Sequence, residues 1–281
     1  MNISKAISSA STRLEGSGVA NPRREASSLL AFVLQRDLTF QIAHPEYELT
    51  VAELDAFDLV VGRRVDREPF QYIVGHQEFY GLDFDVGPSV LIPRPETEIL
   101  VEAAIEVLSE RDNPFFLELG VGSGCISVSI LHNIETARSV GVDISQEALD
   151  IASDNAEKHG VVDRMTLEKA DLFNETTGEF DLIVSNPPYV PTIDLETMQV
   201  EVAGFEPHTA LFGGPDGLEI VKRVVDGAPD FLRPQGYLLI EIGFGQSENV
   251  KELYDPAVWD FVEFIPDLQG IPRIVKSCLR G

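Results

Sequence analysis

From residue 115 onward, short apolar runs alternate with longer amphipathic segments, and this rhythm constrains the 281-residue chain more than any other feature. Phe115-Phe116-Leu117-Glu118-Leu119 reads as a buried parallel strand. Ala137 to Val142, Met165 to Ala170, Phe180 to Val184 and Gly236 to Glu241 read as four more. Between them the spacing predicts helices from Cys125 to about Leu131, from Ser145 through Ala148, Ile151 and Ala152, and from Leu218 to Leu232. Trp259 to Ile265 and Ile271 to Lys276 add two closing strands. Strand alternating with helix in this way predicts an α/β fold with a doubly wound sheet, whose ligands bind outside the carboxyl ends of the strands.

Chemistry-bearing residues stand at those ends. Gly120-Val121-Gly122-Ser123-Gly124 follows the first strand as a tight turn that lets a ligand lie against the backbone. Asp143 ends the second strand roughly 20 residues further on, where a carboxylate in this type of fold accepts from ribose hydroxyls. The third glycine comes one position too early for the G-x-G-x-x-G dinucleotide fingerprint, so a single nucleoside-bearing cofactor fits better than a dinucleotide. Asp171-Leu172 ends the third strand.

Asn186-Pro187-Pro188-Tyr189 ends the fourth. Its two prolines remove two backbone donors and restrict the turn. What remains is an acceptor-rich corner. The Asn186 side-chain oxygen and the Pro187 carbonyl can both accept from one NH2 group, while Tyr189 offers a flat face to stack on it. A nitrogen held this way is a poor nucleophile and has to be oriented against a strong electrophile, which a cofactor at the glycine turn would bring.

Upstream, the chain reads as helical from Ile3 to about Val61. Asn21-Pro22 is predicted as a cap followed by proline at the first helical position, and Ala26, Leu29, Leu30, Val33 and Leu34 share one face. Glu78 to Val86 alternates about Gly81 as a hairpin would. The expected organisation is a helical domain over 1–75, a hairpin linker over 76–90 and a Rossmann-like domain over 91–281; the helical pattern fits a structural cap and a docking surface for a macromolecular substrate alike. Pro95 is expected to start a helix from Glu96 to Leu108. Arg94 has two readings, a salt bridge to a nearby acid and a contact with the charged end of a cofactor.

Forty-seven acidic residues against 21 lysines and arginines give a formal net charge of −26, which repels nucleic-acid backbones. The only compact arginine cluster is Arg63-Arg64-Val65-Asp66-Arg67. No apolar stretch approaches 18 residues, and the first 20 residues lack a basic start followed by an apolar core. A soluble, unexported, cytoplasmic protein without membrane or stable nucleic-acid partners is expected. Cys125 and Cys278 match no metal spacing and are expected as buried apolar residues. His76 and His208 lack partners at metal spacing, so no metal site is expected.

In these motifs the chain resembles the PrmC/HemK family of class I S-adenosylmethionine-dependent methyltransferases, the N5-glutamine methyltransferases of bacterial peptide chain release factors. The likeness covers Tyr72 to Gly75, Phe79-Tyr80-Gly81, Leu91-Ile92-Pro93-Arg94-Pro95-Glu96-Thr97-Glu98, Glu118 to Ile126, Asn186 to Tyr189, Phe205-Glu206-Pro207, Gly213 to Leu218, Glu241-Ile242-Gly243 and Asp267 to Arg273. The Asn-Pro-Pro-Tyr tetrad alone is shared with methyltransferases of DNA adenine or cytosine and of ribosomal RNA guanine. The segments around Arg94 and Gly213 are more specific.

The resemblance implies a helical N-terminal domain joined by a hairpin to a seven-stranded catalytic domain. It also implies S-adenosylmethionine as cofactor and, as substrate, the glutamine of Gly-Gly-Gln in release factors 1 and 2; apart from the resemblance, a monomer is expected. It assigns Glu118, Gly120, Val121, Gly122, Ser123, Gly124, Asp143, Ile144, Asp171, Leu172, Asn186 and Arg94 to the cofactor. Asn186, Pro187, Pro188 and Tyr189 are assigned to the substrate, with Asn186, Pro187 and Tyr189 catalytic. Glu118 stands where the family commonly has Asp, which keeps the charge and lengthens the reach. Two rival readings remain at this stage: a DNA adenine methyltransferase, disfavoured by charge and by the lack of an evident target-recognition insert, and a non-enzymatic module that senses S-adenosylmethionine.

Overall fold

The computed structural model describes residues 1–174 and 176–281, which fall into two compact units. One comprises Met1–Gly75 with Gln199–Phe205, and the other His76–Met198 with Glu206–Gly281.

The first unit is helical. Its helices Ile3–Gly16, Pro22–Leu34 and Val51–Val65 bury Leu14, Leu29, Leu30 and Val61 completely. Val33 and Leu34, expected on the same face as Leu29 and Leu30, pack half-buried against this core. Thr50 and Glu53 form a reciprocal capping box: the Glu53 N–H donates to Thr50 Oγ1 at 3.3 Å and the Thr50 N–H to Glu53 Oε2 at 2.7 Å. The expected cap at Asn21 differs. Its backbone is left-handed (φ 50°) and its side chain caps nothing, so the entry into the second helix rests on Pro22, whose fixed φ suits the first helical position. The arginine cluster is turned inward. Arg64 lies between Glu25 (2.5 Å) and Glu201 (2.9 Å), and Arg67 donates to both oxygens of Glu201 at 2.8 and 2.5 Å. Burial opposes ionisation of Glu201, but the Arg67 and Arg64 donors outweigh it and hold its carboxyl at about 2.

The second unit opens with a hairpin, β1 (His76–Phe79) and β2 (Leu82–Asp85), around Tyr80-Gly81. Both turn residues have positive φ (52° and 75°), the backbone of a two-residue turn whose twist matches the strands. Phe79 and Phe84 are fully buried in the core of this unit. The hairpin is tied further by the Asn155 side chain, whose Oδ1 accepts from the Asp85 N–H at 2.8 Å.

Seven strands follow: β3 (Phe115–Leu119), β4 (Arg138–Asp143), β5 (Met165–Lys169), β6 (Phe180–Ser185), β7 (Leu232–Glu241), β8 (Trp259–Pro266) and β9 (Pro272–Leu279). Their spatial order is β5-β4-β3-β6-β7-β9-β8, parallel except for β9, which runs antiparallel between β7 and β8. Alternate residues of the central strands feed two cores. Phe116, Leu182 and Val184 join the core that includes helices Glu98–Ser109, Cys125–Asn133 and Gln146–Lys158, while Leu117, Leu119 and Ile183 join the one that includes helix Glu219–Gly227. The helix expected to reach Leu232 ends at Gly227 and gives way to a 3-10 turn containing Pro229. β7 already begins at Leu232, four residues before the expected start. Strand order reverses between β3 and β6, so a crevice opens at their carboxyl ends.

Candidate active site

One cleft lies at that switch point. Its walls include Gly120 to Ser123 after β3, Asp143 and Ile144 at the end of β4, Asp171 and Leu172 after β5, and Asn186 and Pro188 after β6. Arg94, Thr97 and Glu118 complete it.

The glycine turn is shaped by left-handed backbone at Gly120, Gly122 and Gly124 (φ 74°, 52° and 78°). A Cβ on Gly120 or Gly122 would meet nothing within 4 Å, whereas one on Gly124 would stand 3.2 Å from the Ala152 Cβ. Gly124 therefore serves the packing of two helices and stands off the cleft wall. Asp143 braces the turn: Oδ2 accepts from the Gly122 N–H and Oδ1 from the Ser145 N–H, both at 2.9 Å. Each oxygen keeps a lone pair for a ligand hydroxyl.

Glu118 is 1% exposed. Its Oε2 accepts from the Ser127 N–H at 2.9 Å, and its Oε1 is buried with no hydrogen-bond partner among the described residues. Burial, with the Asp143 charge adding to it, pushes the carboxyl up to about 8. An orphaned carboxylate oxygen on a cleft wall is stabilised by a ligand that brings a cation with protons to donate.

Asn186 is held by residues the sequence reading left without a role. Its Nδ2 donates to Thr97 Oγ1 at 3.1 Å, Thr97 Oγ1 donates to Glu241 Oε2 at 2.7 Å, and the Tyr189 hydroxyl donates to Glu241 Oε1 at 3.1 Å. With Nδ2 on Thr97, Oδ1 is the acceptor that Asn186 presents at the cleft. Glu241 is 2% exposed, and burial pushes its carboxyl up to about 7. Glu241 carried a legible signal, since it closes the apolar strand Tyr237-Leu238-Leu239-Ile240 as Asp143 closes its own.

The Asn-Pro-Pro-Tyr segment is clamped from outside. A Cβ on Gly213 would lie 2.3 Å from the Pro188 carbonyl oxygen, so the segment Gly213 to Gly217 approaches to backbone contact. Val190 donates to the Leu211 carbonyl at 2.9 Å, Gly213 donates to the Val190 carbonyl at 3.0 Å, and the Gln246 Nε2 donates to the Tyr189 carbonyl at 2.9 Å.

Of the remaining expected residues, Pro187 is buried behind the wall and Tyr189 is half-buried with its hydroxyl on Glu241; neither lines the cleft. Arg94 does line it, and its Nη2 donates to the buried Glu206 at 2.5 Å, the salt bridge of the first reading. Asp171 pairs with the exposed Arg223 at 2.9 Å, and Leu172 holds a left-handed backbone (φ 54°). Cys125 and Cys278 are buried free thiols. Among the described residues no cluster could hold a metal ion, and no helix is long and apolar enough to cross a membrane.

Comparison with known proteins places these features. The PrmC N-terminal domain family matches residues 5–75 and the methyltransferase small domain family matches residues 96–202. A methyltransferase from Pyrococcus furiosus shares the fold, with a TM-score of 0.55 at 20% identity over 72% of this chain and 91% of that one. A release factor glutamine methyltransferase from Koribacter versatilis is 42% identical over 98% of both chains. One from Geobacter sulfurreducens is 45% identical over 92% of this chain and 90% of its own. With that identity sustained across both units, the chain belongs to the release factor glutamine methyltransferase family.

Proposed function

We propose that the chain transfers a methyl group from S-adenosylmethionine to the side-chain amide nitrogen of the glutamine in Gly-Gly-Gln of peptide chain release factors 1 and 2. The observation that carries this reading is the Asn186 amide, whose nitrogen is bound to Thr97 so that its oxygen remains for a substrate N–H. The cofactor, when bound, supplies an electrophilic methyl group.

The residues of the cleft fit that cofactor. Glu118 Oε1 would accept from its ammonium, the open faces of Gly120 and Gly122 would lie along its chain, and Asp143 would accept from its ribose hydroxyls, with Val121, Ser123, Ile144, Asp171 and Leu172 around them. Arg94 would act on the cofactor side of the cleft while anchored by Glu206.

On the substrate side, Asn186 Oδ1 accepts a hydrogen of the target NH2, with Pro188 flanking and the buried Pro187 and half-buried Tyr189 bracing the segment. Fixing that nitrogen turns its lone pair toward the methyl group, and proximity and alignment supply much of the rate. No covalent enzyme intermediate is formed. No general base is required before transfer, because the nitrogen becomes acidic as it is methylated. The protein acts as a monomer in the cytoplasm, and its formal net charge of −26 disfavours a nucleic-acid partner.

The test is methyl transfer from labelled S-adenosylmethionine to intact release factor, beside its Gln→Ala variant and a DNA duplex containing adenine. Label on the intact release factor alone is the expected result. Label on DNA, or equally on both release-factor forms, overturns the substrate or the site.

A further inference from the structure

Asn186 can serve as an acceptor in only one of its two amide orientations. Rotating the side chain by half a turn exchanges Oδ1 for Nδ2 with little change in shape, and would present two hydrogens to a substrate NH2 that also has only hydrogens to offer. Something must choose between the two. Among the described residues the Asn186 side chain hydrogen-bonds the Thr97 hydroxyl, which can either donate or accept, so Thr97 alone chooses nothing.

The choice is made one step further back. Glu241 sits between two hydroxyls, Thr97 Oγ1 at 2.7 Å and the Tyr189 OH at 3.1 Å, one on each carboxylate oxygen. An ionised carboxylate only accepts, so both hydroxyls must donate to it. Thr97 then has lone pairs alone to turn toward Asn186, and Nδ2 must face inward.

A protonated Glu241 removes the constraint. Its own proton can go to Thr97, whose hydrogen is then free to bond Asn186 Oδ1, and the inverted amide becomes an equally good partner. The surroundings keep this carboxyl near the balance point. Burial disfavours its charge and Glu96 adds to that, while Thr97, Tyr189 and Arg273 favour the charge. Cys125, which also interacts with it, stays a neutral thiol because burial drives its ionisation up to about 12. Thr97 and Glu241 are both about 2% exposed, so water does not compete for these bonds.

We propose that Glu241 is a positioning residue that acts through the Thr97 hydroxyl to hold the Asn186 amide with its nitrogen inward and its oxygen toward the target nitrogen, so that only the ionised form of Glu241 presents a competent site. The inference rests on the reading of this chain as a glutamine methyltransferase, but its core claim concerns the orientation of one side chain and is read without turnover.

In uniformly 15N-labelled wild-type protein, the Asn186 side-chain NH2 resonances, identified by their loss in Asn186→Asp, follow a single titration near neutral pH. In Glu241→Gln they do not move. With saturating S-adenosylmethionine, wild-type kcat on release factor rises with pH through the same transition, and Glu241→Gln loses that limb. Thr97→Val lowers kcat about tenfold to a hundredfold, the scale of a lost charge-linked hydrogen bond, with the KM for release factor and the Kd for cofactor within about threefold. Thr97→Ser, which keeps the hydroxyl, recovers most of that rate.

An Asn186 signal that ignores pH in the wild type overturns the inference, as does a Thr97→Ser variant no better than Thr97→Val. Absence of transfer to release factor by the wild type would sink the substrate reading instead, and the NMR titration would still decide the orientation claim.

Discussion

The carbonyl oxygen of Tyr189 lies 2.1 Å from where a Cβ on Gly217 would stand. Gly217 also has φ 77°, so a side chain there is strained twice, by its own backbone and by a neighbour that is backbone and cannot swing aside. The later glycine-rich segment is thus part of the frame that holds Asn186, three residues before Tyr189.

Gly217→Ala is expected to cost about 2–5 kcal/mol, the sum of overpacking and a left-handed penalty. Gly245→Ala, at φ 78° with open space around it, carries only the backbone penalty of about 1–2 kcal/mol. Chemical denaturation of both variants checks the difference, and equal losses would show that the close approach is not what the glycine serves.

Asn186→Ala removes the acceptor and leaves the Thr97 hydroxyl without its donor. We expect a loss of about 1–3 kcal/mol in transition-state stabilisation, roughly 5- to 150-fold in kcat, with cofactor affinity within about threefold. Turnover surviving within a few fold would remove Asn186 from the reaction.

Glu118 is expected to link pH to both stability and cofactor binding. Its carboxyl is raised from 4.5 to about 8 in the folded protein. Between those values the unfolded chain has released the proton and the folded chain has kept it. The stability is therefore fully present below about pH 4.5 and is lost as pH rises toward 8. Unfolding in urea at a series of pH values should show that slope, amounting to a few kcal/mol, reduced in Glu118→Gln. Binding of S-adenosylmethionine, whose ammonium favours the ionised carboxylate, should release a proton near neutral pH. Calorimetry in buffers of different ionisation enthalpy reads that proton directly, and Glu118→Gln should abolish it while weakening binding roughly 10- to 150-fold.

In the helical unit, Arg64→Met leaves Glu25 without its ion pair and Glu201 with Arg67 alone. Stranding carboxylates beside a buried position costs about 3 kcal/mol. Thermal unfolding measures it, and a change below about 0.5 kcal/mol would mean that the two carboxylates are satisfied by solvent.

Much of the frame was legible in the residue pattern because it depends on local periodicity. Phe115 to Leu119 and Phe180 to Val184 had to be strands buried on both faces, and the turns at Gly120 and Asn186 followed from where glycine and proline stop regular structure. Boundaries were less legible where two elements compete for the same apolar residues. Leu232 fits the end of a helix as well as the start of β7, and pairing with Phe180 in the sheet decided it. Asn21 reads as a cap, but its left-handed backbone leaves its side chain without a capping bond.

Glu206 and Arg94 lie 112 residues apart along the chain, as Glu241 and Thr97 lie 144 apart, and such partners leave no periodic trace. The sequence alone shows that acids and amides close the strands, and composition and spacing suffice for that because strand and turn are set by neighbouring residues. Only the folded chain decides which of those groups are left without a partner, which are satisfied, and which way each amide points. The reason is physical: hydrogen-bond polarity and the ionisation of a buried carboxylate depend on atoms brought together from distant segments in the absence of water.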